Sequence, residues 1–320
     1  MPAPKRISII LAFAALYLIW GSTYLGILFA IRSIPPLLMA GTRFLLAGII
    51  LYTAARLSGA PPSPRADWRT ALIVGACLLL GGNGGVTLSE QYVPSGVAAL
   101  LVATVPIYIA LLSWLFGISK RPSAITWAGL AGGFVGVGVL IGPALRFSTT
   151  GDSPHAWIGM TILLCSSLIW SAGSLYSRTA KHAPPSPFLA AGQQMLCGGT
   201  LLIIAGIVRG ETRHFDPRQI TMQSLGAFVY LVFIGGIIGY VSYAWLLRYC
   251  EPAKVATYAY VNPIVAVFLG TAFAGEILTL RTLMGAGLII GSVAVVIMAQ
   301  QMKPKGSPIP TIIDPAECAR

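Results

Sequence analysis

Two stretches place an indole beside small polar residues inside apolar runs: LYLIWGSTY at residues 16–24 and SSLIWSAGSLY at residues 166–176. Trp20, Tyr24 and Trp170 offer flat apolar faces with hydrogen-bonding tips, the usual makeup of a small-molecule site. Tyr243, Tyr258, Tyr260 and Asn262 are of the same kind, and Tyr258 and Asn262, four residues apart, share a face of a helix. The other use of such aromatic side chains is as anchors at the two faces of a bilayer. Arg43 is a cation within an apolar run. It can attract a substrate carboxylate, tie down a backbone carbonyl, or snorkel to lipid headgroups. Asn83 stands among four glycines in GGNGGV and suits a bond between close helices or a solute contact. Glu90 reads as a proton site, as a gate partner of Arg43, or as a solvated loop residue. Pro106 and Pro263 each remove an amide from the middle of an apolar run. They free the carbonyls of Val102 and Ala259, so both are expected to kink helices that line a pathway.

These groups do not assemble into an enzyme. His155, His182 and His214 lie in or beside polar loops, and Cys77, Cys165, Cys197, Cys250 and Cys318 include no CxxC pair. No Ser-His-Asp set, Walker loop or metal spacing appears, so neither catalysis, ATP hydrolysis, a cofactor nor a metal is expected. The elements that must hold the candidate groups are instead apolar helices. Of 320 residues, 56% are hydrophobic and 9% charged, against roughly 25% charged in a soluble chain. A net charge of +12 would suggest nucleic acid as a partner of a soluble protein. Here the charges form short islands between apolar runs, where they orient a chain in a bilayer.

Ten runs approach the roughly 20 residues that cross a bilayer: Ser8–Ile31, Leu37–Leu57, Trp68–Leu88, Ser95–Leu115, Ile125–Leu145, His155–Ser177, Phe188–Val208, Gln223–Leu247, Ala253–Ala274 and Leu283–Gln300. The first follows Lys5 and Arg6, as in a signal peptide, but runs too long for one and shows no clear cleavage site. Helix is required because backbone groups in lipid must be satisfied within the segment. With the N-terminus inside, fourteen of the twenty-one Lys and Arg fall on the cytoplasmic side, six fall outside, and Arg43 lies within the second span. That bias predicts both termini in the cytoplasm.

The runs are also written twice. Ile19-Trp20 corresponds to Ile169-Trp170, Pro35-Pro36 to Pro184-Pro185, and Ala40-Gly41 to Ala191-Gly192. Farther on, Pro94 with Val97-Ala98 matches Pro252 with Val255-Ala256, and Val105-Pro106-Ile107 matches Asn262-Pro263-Ile264. A unit of five spans is odd, so its second copy enters from the opposite side, the plan of many secondary transporters. The predicted fold is an all-α polytopic membrane protein of ten transmembrane helices in two inverted five-helix repeats. The repeats cover residues 1–146 and 147–302, with a flexible cytoplasmic tail at 303–320. Trp20 and Trp170 become equivalent walls of a central pathway. Arg43 matches Gln194, so the repeat does not demand the cation. The fifth and tenth runs carry glycines at helical spacing and few polar groups, which suits close packing or a homodimer.

The segments LYLIWGSTY, PPLLMAGTRF, GNGGVTLSEQYVPSGVAALLVATVP and TYAYVNPIVAVFLG resemble the EamA-type branch of the drug/metabolite transporter superfamily, nearest its YedA-like members. The resemblance runs from about Ile7 to Met298. It implies ten helices in two inverted halves, cytoplasmic termini, and export of amino acids, other small metabolites or toxic compounds, here across a bacterial inner membrane. A Gly-Glu pair often follows the fourth helix of each half in this family; Gly275-Glu276 keeps it and Gly117-Ile118 does not. The expected activity is therefore secondary transport by alternating access, downhill or weakly coupled through Glu90. The expected substrates are amino acids or related aromatic and hydrophobic compounds, with efflux of drug-like toxic compounds as the alternative. A channel calls for rings of charge and an intramembrane enzyme for a reactive polar cluster, and the sequence shows neither.

Overall fold

A computed structural model describes residues 6–119, 121–145, 155–184, 186–213, 215–249, 255 and 258–301. The regular structure among them is helical. Helix α1 is Arg6–Ala30 and α2 is Pro36–Leu57. Helix α3, Arg65–Ser89, widens into a π-helical stretch at Ala76–Gly84. Helix α4, Ser95–Leu115, is broken into Ser95–Val102 and Val105–Leu115. Helices α5, α6 and α7 are Ala124–Leu145, Ala156–Thr179 and Pro187–Val208. Helix α8 joins Met222–Tyr230, a second π-helical stretch at Leu231–Gly239, and Tyr240–Tyr249. Helices α9 and α10 are Tyr258–Ala274 and Leu280–Gln301. Seven helices, α1 to α4 and α6 to α8, are long and apolar enough to cross a membrane. Helices α5, α9 and α10 contain the shorter apolar stretches Ala124–Val139, Val261–Ala274 and Leu280–Val296. The expected tail at 303–320 and the expected start of the ninth span at Ala253 lie outside the described residues.

Local chemistry starts these helices. Pro36 and Pro187 occupy the first turns of α2 and α7, where a missing N–H leaves no bond unmade. Ser186 caps α7 by accepting from Leu189 N at 3.4 Å, and Thr221 caps α8 by accepting from Ser224 N at 3.2 Å. Helix α2 packs along α7, α5 along α10 and α1 along α9, while α4 packs on α6 and α9. Glycines let several of these pairs close. Gly48 meets Leu196 and Gly41 meets Ile203, so α2 and α7 are antiparallel. Outward faces carry exposed Leu18, Ile50, Ile204 and Val208, as a hydrocarbon solvent requires.

The two prolines behave differently. The α4 backbone breaks at residues 103–104 and restarts with Pro106 in the new first turn. Pro263 lies inside a helix that continues past it, so the chain leaves helical geometry at the first proline and not at the second. Helix α9 is held along α1 there: a Cβ at Gly21 would lie 2.6 Å from Val265 Cβ. The Asn262 amide also lies 3.1 Å from the Tyr17 carbonyl and 3.2 Å from the Tyr258 carbonyl, and donates to both with its nitrogen turned toward them.

Candidate functional site

A cavity of about 100 Å³, measured as the space open to the centre of a water molecule, lies among α1, α2, α3, α4, α6, α8 and α9. Seven of the residues expected at a substrate site line it: Trp20, Tyr24, Arg43, Asn83, Trp170, Tyr258 and Asn262. Trp20 and Trp170 meet edge to face, with ring centroids 6.3 Å apart and planes at 87°. Tyr258 stands edge-on to Trp20 at 5.2 Å. Tyr243 is not in the lining; it stacks behind it, 5.0 Å from Trp20 and 6.2 Å from Tyr258. The side chain of Tyr260 lies outside the described residues. Pro106 and Pro263 are buried beside lining residues Val105 and Asn262.

The aromatic wall depends on the π-helical stretches. A Cβ on Gly82, in the α3 stretch, would lie 2.6 Å from Trp170 Cε3. A Cβ on Gly239, at the end of the α8 stretch, would lie 2.7 Å from Trp20 Nε1. Each wide turn therefore presents a bare backbone to the indole of the other half. π-Helical turns are rare and cluster at functional sites.

The polar groups are sparse and fixed. Arg43 is 3% exposed, which rules out snorkelling. Its Nη2 donates to Asn83 Oδ1 at 2.9 Å, its guanidinium lies 4.5 Å from the Phe44 ring centroid, and its Nε has no hydrogen-bond partner. It forms no ion pair among the described residues. Gln194, its counterpart in the repeat, accepts from the Tyr240 hydroxyl, so each half carries a polar bond from its second helix to its third. Ser167 lines the cavity with an unpartnered hydroxyl.

Glu90 is 4% exposed and neither carboxylate oxygen has a hydrogen-bond partner, so it is neither a solvated loop residue nor bonded to Arg43. Asn83 takes the guanidinium donor instead. Burial, then the neighbouring Glu276 carboxylate, push the Glu90 carboxyl well above the ordinary range, with Arg43 opposing. No group of three or more His, Cys, Asp or Glu that could hold a metal is gathered among the described residues. Sequence reasoning missed Ser166, Ser167, Tyr240, Gly235 and Gly236 in the lining. The second Gly-Gly, in LVFIGGIIG, was the available signal, since it stands in the third helix of its half as GGNGG does.

Membrane-length helices around an internal cavity, with aromatic walls and the buried Arg43 in its lining, define a polytopic membrane protein with an internal chamber. The chain belongs to the EamA-like transporter family, which it matches twice, at residues 7–142 and 157–298. It is 38% identical over 307 residues to the inner membrane transporter YedA of Escherichia coli K12, covering 95% of each chain. It is 27% identical to the transporter YvbV of Bacillus subtilis, over 92% of each chain. It is 26% identical to a probable amino-acid metabolite efflux pump of Salmonella typhimurium, over 85% of this chain and 89% of that one. A crystal structure of a protein 20% identical in sequence shares the fold with a TM-score of 0.63, covering 93% of this chain and all of the other.

Proposed function

We propose that the chain is a secondary transporter that exports small metabolites, amino acids or related aromatic and hydrophobic compounds, by alternating access of two inverted five-helix halves. The observation that carries this reading is Arg43, buried without a salt bridge among the described residues in a cavity walled by Trp20 and Trp170. A substrate carboxylate satisfies the guanidinium, and a flat or branched side chain packs against the wall that the two touching indoles form. The double family match, the packing of α2 on α7 and α5 on α10, and the reciprocal Gly82–Trp170 and Gly239–Trp20 contacts support ten spans in inverted repeats. The amino-acid reading draws on the efflux pump of Salmonella typhimurium. The charge bias supports cytoplasmic termini. Glu90 is the group through which proton coupling would run. Much of the α5 glycine face lies on α10, so self-association through the tenth helix would use Gly287 and Gly291, which face open space.

The test is counterflow of labelled amino acids into liposomes holding the purified protein. Exchange of an aromatic or branched amino acid, lost in Trp20→Ala and insensitive or sensitive to an uncoupler, supports the reading and decides the coupling. Absence of flux across an amino-acid panel, together with protection of cells against aromatic toxicants, would favour the drug-like alternative. The aromatic lining is the observation on which that alternative stands.

A further inference from the structure

Among the described residues four glycines adopt positive φ: Gly59, Gly117, Gly210 and Gly275, at +88°, +68°, +81° and +69°. Each lies just past the C-terminus of α2, α4, α7 or α9, a second and fourth helix of each half. The residue that follows differs between halves: Ala60 and Ile118 in the first, Glu211 and Glu276 in the second. Both glutamates reach across to the first half. Glu211 Oε2 accepts from Leu37 N and Leu38 N at 3.0 Å each. Glu276 Oε1 accepts from Ser95 N at 2.7 Å and Ser95 Oγ at 2.6 Å, and its Oε2 accepts from Gly96 N at 3.1 Å.

The receiving helices are made for this. Helices α2 and α4 follow Pro35 and Pro94 and have no side-chain cap of their own. A carboxylate at a helix N-terminus satisfies free amides and meets the positive end of the dipole. The glutamates are also given room: a Cβ at Gly206 would crowd Glu211 Oε2, and one at Gly270 would overlap Glu276 Oε2. At the opposite end, α7 begins with its own cap, Ser186, and needs no acid from α2. Further bonds between the halves gather at the glutamate end, where Ser224 Oγ donates to Phe29 O at 2.8 Å and Thr221 N donates to Ser33 Oγ at 3.1 Å.

We propose that Glu211 and Glu276 are gate-positioning residues, a pair of carboxylate clamps that hold the outer end of the carrier shut and bias the resting protein toward the cytoplasm-open state. This rests on the inverted-repeat transporter reading, which also makes that end the outer one. Opening the outer end must part α7 from α2 and α9 from α4 at these contacts, leaving four backbone amides without their acceptors. At the equivalent positions of the first half, which face the cytoplasm, Ala60 and Ile118 stand in place of the two acids. Directional preference is therefore written in two side chains rather than in the paired helices.

The experiment uses the full-length protein with its cysteines replaced and a single reporter, Val86→Cys, in the cavity wall. An impermeant maleimide is applied to sealed vesicles of defined orientation, from each side separately. The expected result is that Glu211→Ala with Glu276→Ala raises outer labelling by roughly tenfold to a hundredfold and lowers inner labelling, since a charged hydrogen bond is worth about one to two decades of equilibrium. The Gln pair should fall between, and Ala60→Glu combined with Ser186→Ala should move both rates the opposite way. A merely structural role would raise labelling from both sides or neither. Should the Ala pair misfold and label quickly from both sides, the Gln pair decides, and unchanged labelling in the Gln pair overturns the proposal. Solute counterflow on the same vesicles separates the two ideas. Shifted labelling without flux of any solute keeps the clamps and removes the transporter, whereas flux without shifted labelling does the reverse.

Discussion

Replacing Gly82 or Gly239 by alanine tests the architecture of the wall directly. An added Cβ would sit 2.6 Å from Trp170 Cε3 in the first case and 2.7 Å from Trp20 Nε1 in the second. Non-bonded carbons settle at about 3.5–4.0 Å, so each indole must retreat by roughly 1 Å. Forcing an extra carbon into a packed site costs about 1–3 kcal/mol. Alanine recovers up to about 1 kcal/mol over glycine inside a helix. The net is a loss of about 0–2.5 kcal/mol in stability, and a retreated indole that gives up about 1–2 kcal/mol of contact with its substrate lowers affinity by roughly 5- to 30-fold. Gly138→Ala is the control, because a Cβ there meets nothing within 4 Å. Tryptophan-fluorescence titration with a substrate found by counterflow reads the affinities, and thermal melting in detergent reads stability. The two wall variants should weaken binding to a similar degree, while the control binds normally and melts slightly higher. Normal binding in both wall variants would show that the indoles are not held by those turns. A large effect in only one would break the equivalence of the two halves.

Arg43→Gln should weaken binding of a carboxylate substrate by roughly 10- to 100-fold and leave its amide derivative nearly unaffected, since only the former uses a charge-assisted bond; isothermal titration of the two compounds reads the difference. Glu90 has its carboxyl raised above the ordinary range, so its contribution to the stability of the fold is greatest below roughly pH 4 and is lost as pH climbs through the raised value. Glu90→Gln imitates the neutral acid, so its melting temperature should stay flat over the range where that of the parent protein declines. Cysteines placed at residues 3 and 305 should both react with an impermeant reagent only from the cytoplasmic side, and reaction of either from outside would overturn the charge-bias orientation.

Much of the scaffold was legible in the sequence because lipid restricts the backbone so severely. Apolar runs such as Pro187–Val208 had no alternative to helix. The indoles were legible as a pair because the same dipeptide, Ile-Trp, recurs in two runs. The finer arrangement was hidden for physical reasons. Whether Arg43 snorkels or turns inward depends on Asn83, forty residues away, and residue spacing carries no such distance. Proline predicts a missing amide but not whether neighbours hold the helix together, so Pro106 and Pro263 looked alike and are not. Ser167 and Gly236 resemble ordinary packing residues until the helices are assembled. The π-helical stretches Ala76–Gly84 and Leu231–Gly239 follow no composition rule that separates them from plain α-helix.

Those two widened stretches also bear on how such a chain tolerates changes of length. A π-helical turn spans more residues than an α-turn. Loss of one residue there can tighten the turn locally and leave both flanking helices in register, whereas the same loss in α2 or α7 would rotate everything downstream. Shortened chains of this kind would still thread and pack, yet their indoles would meet side chains where they now meet bare glycine. Loss of a single residue in the middle of α3 or α8 is therefore a change that the scaffold absorbs and the chamber does not.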